Sequence, residues 1–152
     1  MNIAIYSQLL GSQHQPLLKT LFGALSRHKA SIWLHPLFAP VFNLWQQNGG
    51  YSFSNINTSG AMPSNLDFII IIGGDGSFLK AISEFEYLHV PFVGINTGRL
   101  GFLADISPDD IDTAIDALAA GRFAVEQRPL LELQPKIDEI KHPFALNEIT
   151  VH

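Results

Sequence analysis

Cysteine is absent from these 152 residues, which excludes disulfide staples and thiolate metal sites and suits a reducing compartment. Charge is scarce. Only 15% of residues are Asp, Glu, Lys or Arg, too few for a solvated disordered chain, while 47% are apolar, enough for a core of one-domain size. No basic cluster occurs, and a formal charge of −5 with an isoelectric point near 5.6 removes the electrostatic basis for binding nucleic acid or an anionic membrane. No run reaches membrane-spanning length, and Asn2-Ile3-Ala4-Ile5-Tyr6 behind Met1 lacks the basic and long apolar regions of a signal peptide. A cytoplasmic protein is the expectation. His14, His28, His35, His89, His142 and His152 form no pair at ligand spacing, so they read as surface or loop residues and no metal ligands are assigned.

Against this background one stretch stands out. Ile69-Ile70-Ile71-Ile72 runs into Gly73-Gly74-Asp75-Gly76-Ser77, after which apolar residues resume at helical spacing. Consecutive isoleucines have no polar face and predict a strand buried on both sides, which argues against a mere surface turn even though turns select Gly and Asp. Such strands lead into helices, and glycines at that junction leave backbone N–H groups and the helix dipole open to phosphate. Asp75 is then the odd residue, because a carboxylate repels phosphate; it must either hold a cation or take a proton, both of them tasks in phosphoryl transfer.

The rest of the chain reads as an α/β fold, a Rossmann-like parallel sheet flanked by helices. Strands are predicted over 3–6, 30–34, 66–72 and 90–95, and helices over 16–28, 38–47 and 77–85. The Gly/Ser/Asn/Thr-rich 48–65 segment reads as a long loop. Ser107-Pro108-Asp109-Asp110 is a helix start with a capping hydroxyl, and Gly121 suits the far end; the two acids are read as structural. Trp33, Trp45 and the eleven phenylalanines are assigned to packing, as no basic residues interleave with them. From Phe123 the pattern becomes strand-like, at 130–133 and 144–151, and stops at Val151-His152 inside a strand. Residues 1–125 are therefore expected to form the nucleotide-binding domain and 126–152 the beginning of a truncated β-rich domain.

Three segments in this order, Gly73-Gly74-Asp75-Gly76-Ser77, then Gly94-Ile95-Asn96-Thr97-Gly98-Arg99-Leu100-Gly101-Phe102-Leu103, then Ala145-Leu146-Asn147-Glu148, resemble the NAD kinase family. The first motif is shared with phosphofructokinases and with diacylglycerol and sphingosine kinases; the other two narrow the resemblance. It implies an NAD kinase/diacylglycerol kinase-like N-terminal domain. It also implies transfer of a phosphoryl group from ATP or polyphosphate to the 2′-hydroxyl of the adenosine ribose of NAD, with Mg²⁺ as the divalent metal. By the same resemblance Asp75 is the base, Gly74 and Gly76 line the phosphates, and Asn147 and Glu148 grip the dinucleotide.

Lys80, one turn past Gly76, either returns its ammonium toward the phosphates or is a solvated lysine. Phe102 either packs on the nucleotide or belongs to the core, and Asn96 and Arg99 either order their turn or touch phosphate. Family members carry a further β-rich domain and assemble as dimers or tetramers. A half-built site, with little activity alone, is the expectation for this chain. A lipid or sugar kinase, and a non-catalytic nucleotide-binding module, are the competing readings.

Overall fold

The computed structural model describes residues 1–8, 11–49, 56–57, 61–85, 88–98, 101–134 and 144–146. Five parallel strands, β1 (Asn2–Tyr6), β2 (Ser31–Leu34), β3 (Ile56–Asn57), β4 (Phe68–Ile72) and β5 (Phe92–Ile95), form one sheet in the order β3-β2-β1-β4-β5. Helices α1 (Gln15–Arg27), α2 (Ala39–Gly49), α3 (Asp75–Phe85) and α4 (Ile111–Ala119) flank it. The α/β parallel sheet expected from the sequence is the fold observed.

Alternation along the strands sorts their side chains onto two faces. Ile3, Ile5, Ile32, Leu34, Ile70 and Ile72 pack with α1, α2 and α4 in one core cluster. Ala4, Tyr6, Trp33, Ile69 and Ile71 pack with Phe78, Ala81 and Phe85 of α3 in the other. The crossovers through α1 and α2 step one way from β1 and that through α3 steps the other way, and crossovers of one hand running in opposite directions place their helices on opposite faces.

Several boundaries differ from the sequence reading. The loop expected over 48–65 contains β3, a two-residue edge strand paired with β2, too short to carry a periodic signal. Helix α3 begins at Asp75 rather than Ser77, because the Gly74 carbonyl already accepts the Ser77 and Phe78 N–H groups at 3.0 and 3.1 Å. The Ser107 hydroxyl caps no backbone amide; it donates to the Asp110 carboxylate at 2.7 Å, and a 3₁₀ turn over Pro108–Asp110 leads into α4. Gly121 follows α4 with φ of 68°, the left-handed conformation expected of a helix-ending glycine.

His35 lies in the loop between β2 and α2, within the expected surface or loop placement, but its side chain is buried. It sits beside Tyr6, Trp33 and Phe85, with Nε2 at 2.6 Å from Glu84 of α3 and Nδ1 accepting the Leu37 N–H. Its apolar neighbours lie far apart in sequence, so no local pattern announced the burial. Beyond α4, short strands β6 (Leu131–Glu132) and β7 (Phe144–Ala145) pair antiparallel as a separate sheet, and β7 lies against α3.

Candidate functional site

Strand β1 has neighbours reached in both directions, so the crevice between the C-terminal ends of β1 and β4 is the switch point where open α/β sheets bind ligands. Ser7, just past β1, closes its floor by donating its hydroxyl to the Ile72 carbonyl at 2.9 Å. Gly73 continues the ladder through its N–H to the Ile95 carbonyl at 3.0 Å, and α3 then begins. The amides of Asp75 and Gly76 stand in the first turn, where no intrahelical acceptor exists. A Cβ built on Gly74 or Gly76 would meet no atom within 4 Å. Packing does not demand glycine at these two positions, whereas close approach of a phosphate to bare backbone would.

The loop after β5 folds back over this turn. Its return is fixed by a parallel bridge of Ile95 with Ile106, with the Asn96 N–H on the Ile106 carbonyl at 2.9 Å. Asn96, 2% exposed, donates through Nδ2 to the Ala104 carbonyl at 3.1 Å and accepts the Gly98 N–H through Oδ1 at 2.7 Å. Of its two proposed roles, ordering the turn is the one observed.

The loop delivers three successive amides to one carboxylate. Asp75 Oδ2 accepts the Phe102 N–H at 2.9 Å, and Oδ1 accepts those of Leu103 at 3.0 Å and Ala104 at 3.4 Å. The approach is so close that a Cβ on Gly101 would stand 2.6 Å from the carboxylate carbon. These amides, that of Phe102 foremost, hold the Asp75 carboxyl below its ordinary range despite an opposing contribution from desolvation. A carboxylate has about four lone-pair sites. Oδ1 is doubly engaged, while Oδ2, with a single N–H, keeps one lone pair for a further donor.

The structure thus joins the first two motifs at Asp75. Phe102 is 91% exposed, so its ring takes no part in the core of the described residues. Lys80 is exposed on α3 and forms no ion pair among the described residues. Asn147 and Glu148 lie outside the described residues, as does Arg99; β7, two residues before Asn147, lies against the helix that begins with Asp75. The sequence reading did not single out Ser7, nor the backbone amides of Leu103 and Ala104. Amide groups have no residue-type signature, and Gly101 was the nearest available signal.

The first domain of an ATP-NAD kinase, as a family model describes it, matches residues 44–123 of this chain. The chain belongs to the NAD kinase family. It is 30% identical to the NAD kinase of Flavobacterium psychrophilum and 33% identical to that of Bacteroides fragilis, covering 99% of this chain but 52% and 51% of those proteins. The chain therefore spans about half the length of the curated relatives it matches. Among solved structures, an NAD kinase from Archaeoglobus fulgidus in complex with ATP is 25% identical with a TM-score of 0.61, covering 97% of this chain and 46% of that one. A yeast NADH kinase complexed with NADH has a TM-score of 0.66 at 17% identity, over 90% of this chain and 44% of that one, and shares the fold.

NAD kinase membership implies a divalent metal. Among the described residues no group of three or more His, Asp or Glu could hold one. Asp75 is the carboxylate at the crevice, and a group already receiving three N–H bonds is a poor seat for a cation. The described residues do not fit a protein-built metal cage. A cleft of about 550 Å³ opens at the opposite, N-terminal edge of the sheet, between Met1, Phe68, Pro91 and Phe123. Of its side chains, His28 is paired with Asp116 and Asp67 accepts the Asn2 N–H.

Proposed function

We propose that this chain supplies the phosphate-binding and base-bearing half of an NAD kinase site, in which a phosphoryl group passes from ATP or polyphosphate to the 2′-hydroxyl of the adenosine ribose of NAD. The observation that carries this reading is the partly exposed Asp75 carboxylate, fixed at the switch point beside bare glycine backbone with one lone pair of Oδ2 open. A sugar hydroxyl donating to Oδ2 loses its proton there as its oxygen bonds to phosphorus and the donor's bridging oxygen departs with the bond electrons. A depressed carboxyl is a weak base before the reaction, yet it stays ionised at neutral pH, and positioned proton transfer contributes roughly 10²–10⁴-fold. Gly74 and Gly76 leave room for phosphate, Phe102 offers its exposed ring to the adenine side, and Lys80 adds positive charge one turn along α3. Asn147 and Glu148 are assigned to the dinucleotide by family resemblance, and Mg²⁺, the metal that the resemblance implies, would supply positive charge at the phosphates.

In the same reading residues 1–125 form the nucleotide-binding domain, 126–152 open a β-rich domain, and the protein is a cytoplasmic homo-oligomer. Support for self-association is α2, which carries no charged residue and exposes Leu44 by 59%, with Leu37, 58% exposed, just ahead of it. No helix among the described residues is long and apolar enough to cross a membrane.

The test is NADP formation from NAD and ATP, measured for this chain and for the chain joined to the second half of the Flavobacterium psychrophilum relative. The joined protein is expected to turn over and the chain alone to show little activity. Phosphorylation of diacylglycerol or fructose 6-phosphate in preference to NAD would replace the reading by that of a lipid or sugar kinase, and ATP binding without any transfer by that of a binding module.

A further inference from the structure

We infer that Asn96 is a positioning residue for Asp75, acting through the placement of Ala104 to determine which carboxylate oxygen is left open. The inference rests on the kinase reading for its importance but not for its test.

Asn96 ends β5 and is almost fully buried, 2% exposed, where an amide side chain persists only if its polar groups are engaged. Its Oδ1 takes the Gly98 N–H at the start of the loop, and its Nδ2 holds the Ala104 carbonyl at the end, 3.1 Å away. One planar side chain therefore clamps both ends of the segment that carries Gly101, Phe102 and Leu103. The far side of that segment is what Asp75 meets: the Leu103 and Ala104 amides both fall on Oδ1, and the Phe102 amide alone falls on Oδ2.

The two sides meet at one residue. The Ala104 carbonyl held by Asn96 and the Ala104 N–H given to Asp75 flank the same Cα in successive peptide planes, and the Leu103 N–H lies one peptide further back. Turning the carbonyl about the Cα–C bond alone leaves the N–H in place, so the coupling runs through the position of the Ala104 Cα, and a shift of that atom on loss of the Asn96 bond moves both Oδ1 donors. The loop sits directly against β5 at this point, since a Cβ on Gly94 would stand 2.6 Å from the Ala104 Cα, so Asn96 acts on a segment with little other room to adjust. A buried asparagine that only stabilised the turn would give the same burial, but it would leave the electrostatics of Asp75 unchanged on substitution.

The experiment is a carbon-13 NMR titration of the Asp75 carboxyl in this chain and in Asn96→Ala, which introduces no charge near the acid. Fold integrity is checked by the methyl signals of the Ile69–Ile72 strand. An upward shift of the Asp75 midpoint in a folded Asn96→Ala protein supports the inference; an unchanged midpoint in a folded variant overturns it. If Asn96→Ala does not fold, the unaltered chain decides. The amide protons of Leu103 and Ala104 and the Asn96 side-chain amide should then titrate with the Asp75 midpoint, and an Asn96 amide unmoved through that range overturns the proposal. Neither readout requires turnover, so failure here leaves the kinase reading intact, and loss of the kinase reading leaves this coupling standing.

Discussion

Gly74 and Gly76, in the turn after β4, and Gly101, in the loop after β5, are glycines for opposite reasons. At Gly101 the space a side chain would need is filled by the Asp75 carboxylate. At Gly74 and Gly76 that space is empty, and nothing in the fold objects to a methyl group. In the proposed function the first turn is left open for a phosphate, whereas the second is shaped by a contact within the molecule. The difference teaches that a glycine motif is two kinds of constraint superimposed, and that only a built structure separates them.

The strongest way to break this comparison is Gly101→Ala. The new methyl must displace either the Asp75 carboxylate or the 102–104 amides, so a destabilisation of about 1–3 kcal/mol, of the order seen for overpacking, is expected in urea unfolding. In the joined, active protein turnover should fall at least about 100-fold, as for removal of a positioned group. Gly98→Ala, with nothing within 4 Å of its added methyl, is the control, and equal effects at the two sites would dissolve the distinction.

Asp75→Asn sharpens it next. The depressed carboxyl contributes stability that is fully present above the unfolded value near pH 3.9 and lost as pH falls through the lower folded value. Wild type should therefore lose stability on acidification through that window, and the asparagine variant should lose less. An identical acid limb in urea midpoints measured from pH 5 to 2 would show that the loop contacts are not felt in solution. Because the carboxylate is partly exposed, the effect is expected to be smaller than that of Gly101→Ala.

Gly76→Ala should split stability from binding. Alanine is the better helix former in the first turn of α3, so unfolding should become harder by about 0.5–1 kcal/mol, while ATP affinity by calorimetry should drop. A gain in stability with unchanged ATP binding would mean that the open space is incidental. The smallest effect belongs to Arg27→Ala, which removes exposed pairs to Asp112 and Asp116 joining α1 to α4, far from both turns. Its urea midpoint is expected to stay near wild type and to become indistinguishable at high salt.

The strands were the most legible feature, because β1, β2 and β4 are short apolar runs and the isoleucines at 69–72 have no polar face to hide. The helices were legible to within a few residues from their apolar spacing. Less visible were elements held by partners remote in sequence. Strand β3 exists only because β2 offers it a ladder, and His35 is buried only because Tyr6, Trp33 and Phe85 converge on it. Asp75 could be named as the acid of the site from its setting among glycines. Its three amide partners could not, since a peptide N–H is common to nearly every residue.

Residue order along the chain was enough to establish the α/β class, the glycine turn at the end of a buried strand, and the acid within it, since each follows from local periodicity and side-chain type. The direction of the Asp75 carboxylate, the choice of Oδ2 as its open oxygen, and the exposure of Phe102 were decided by the meeting of segments some 27 residues apart, Asp75 with Phe102. The physical reason is that hydrophobicity and backbone preference act over a few residues, whereas a hydrogen bond between distant peptides depends on how the sheet brings their strands together.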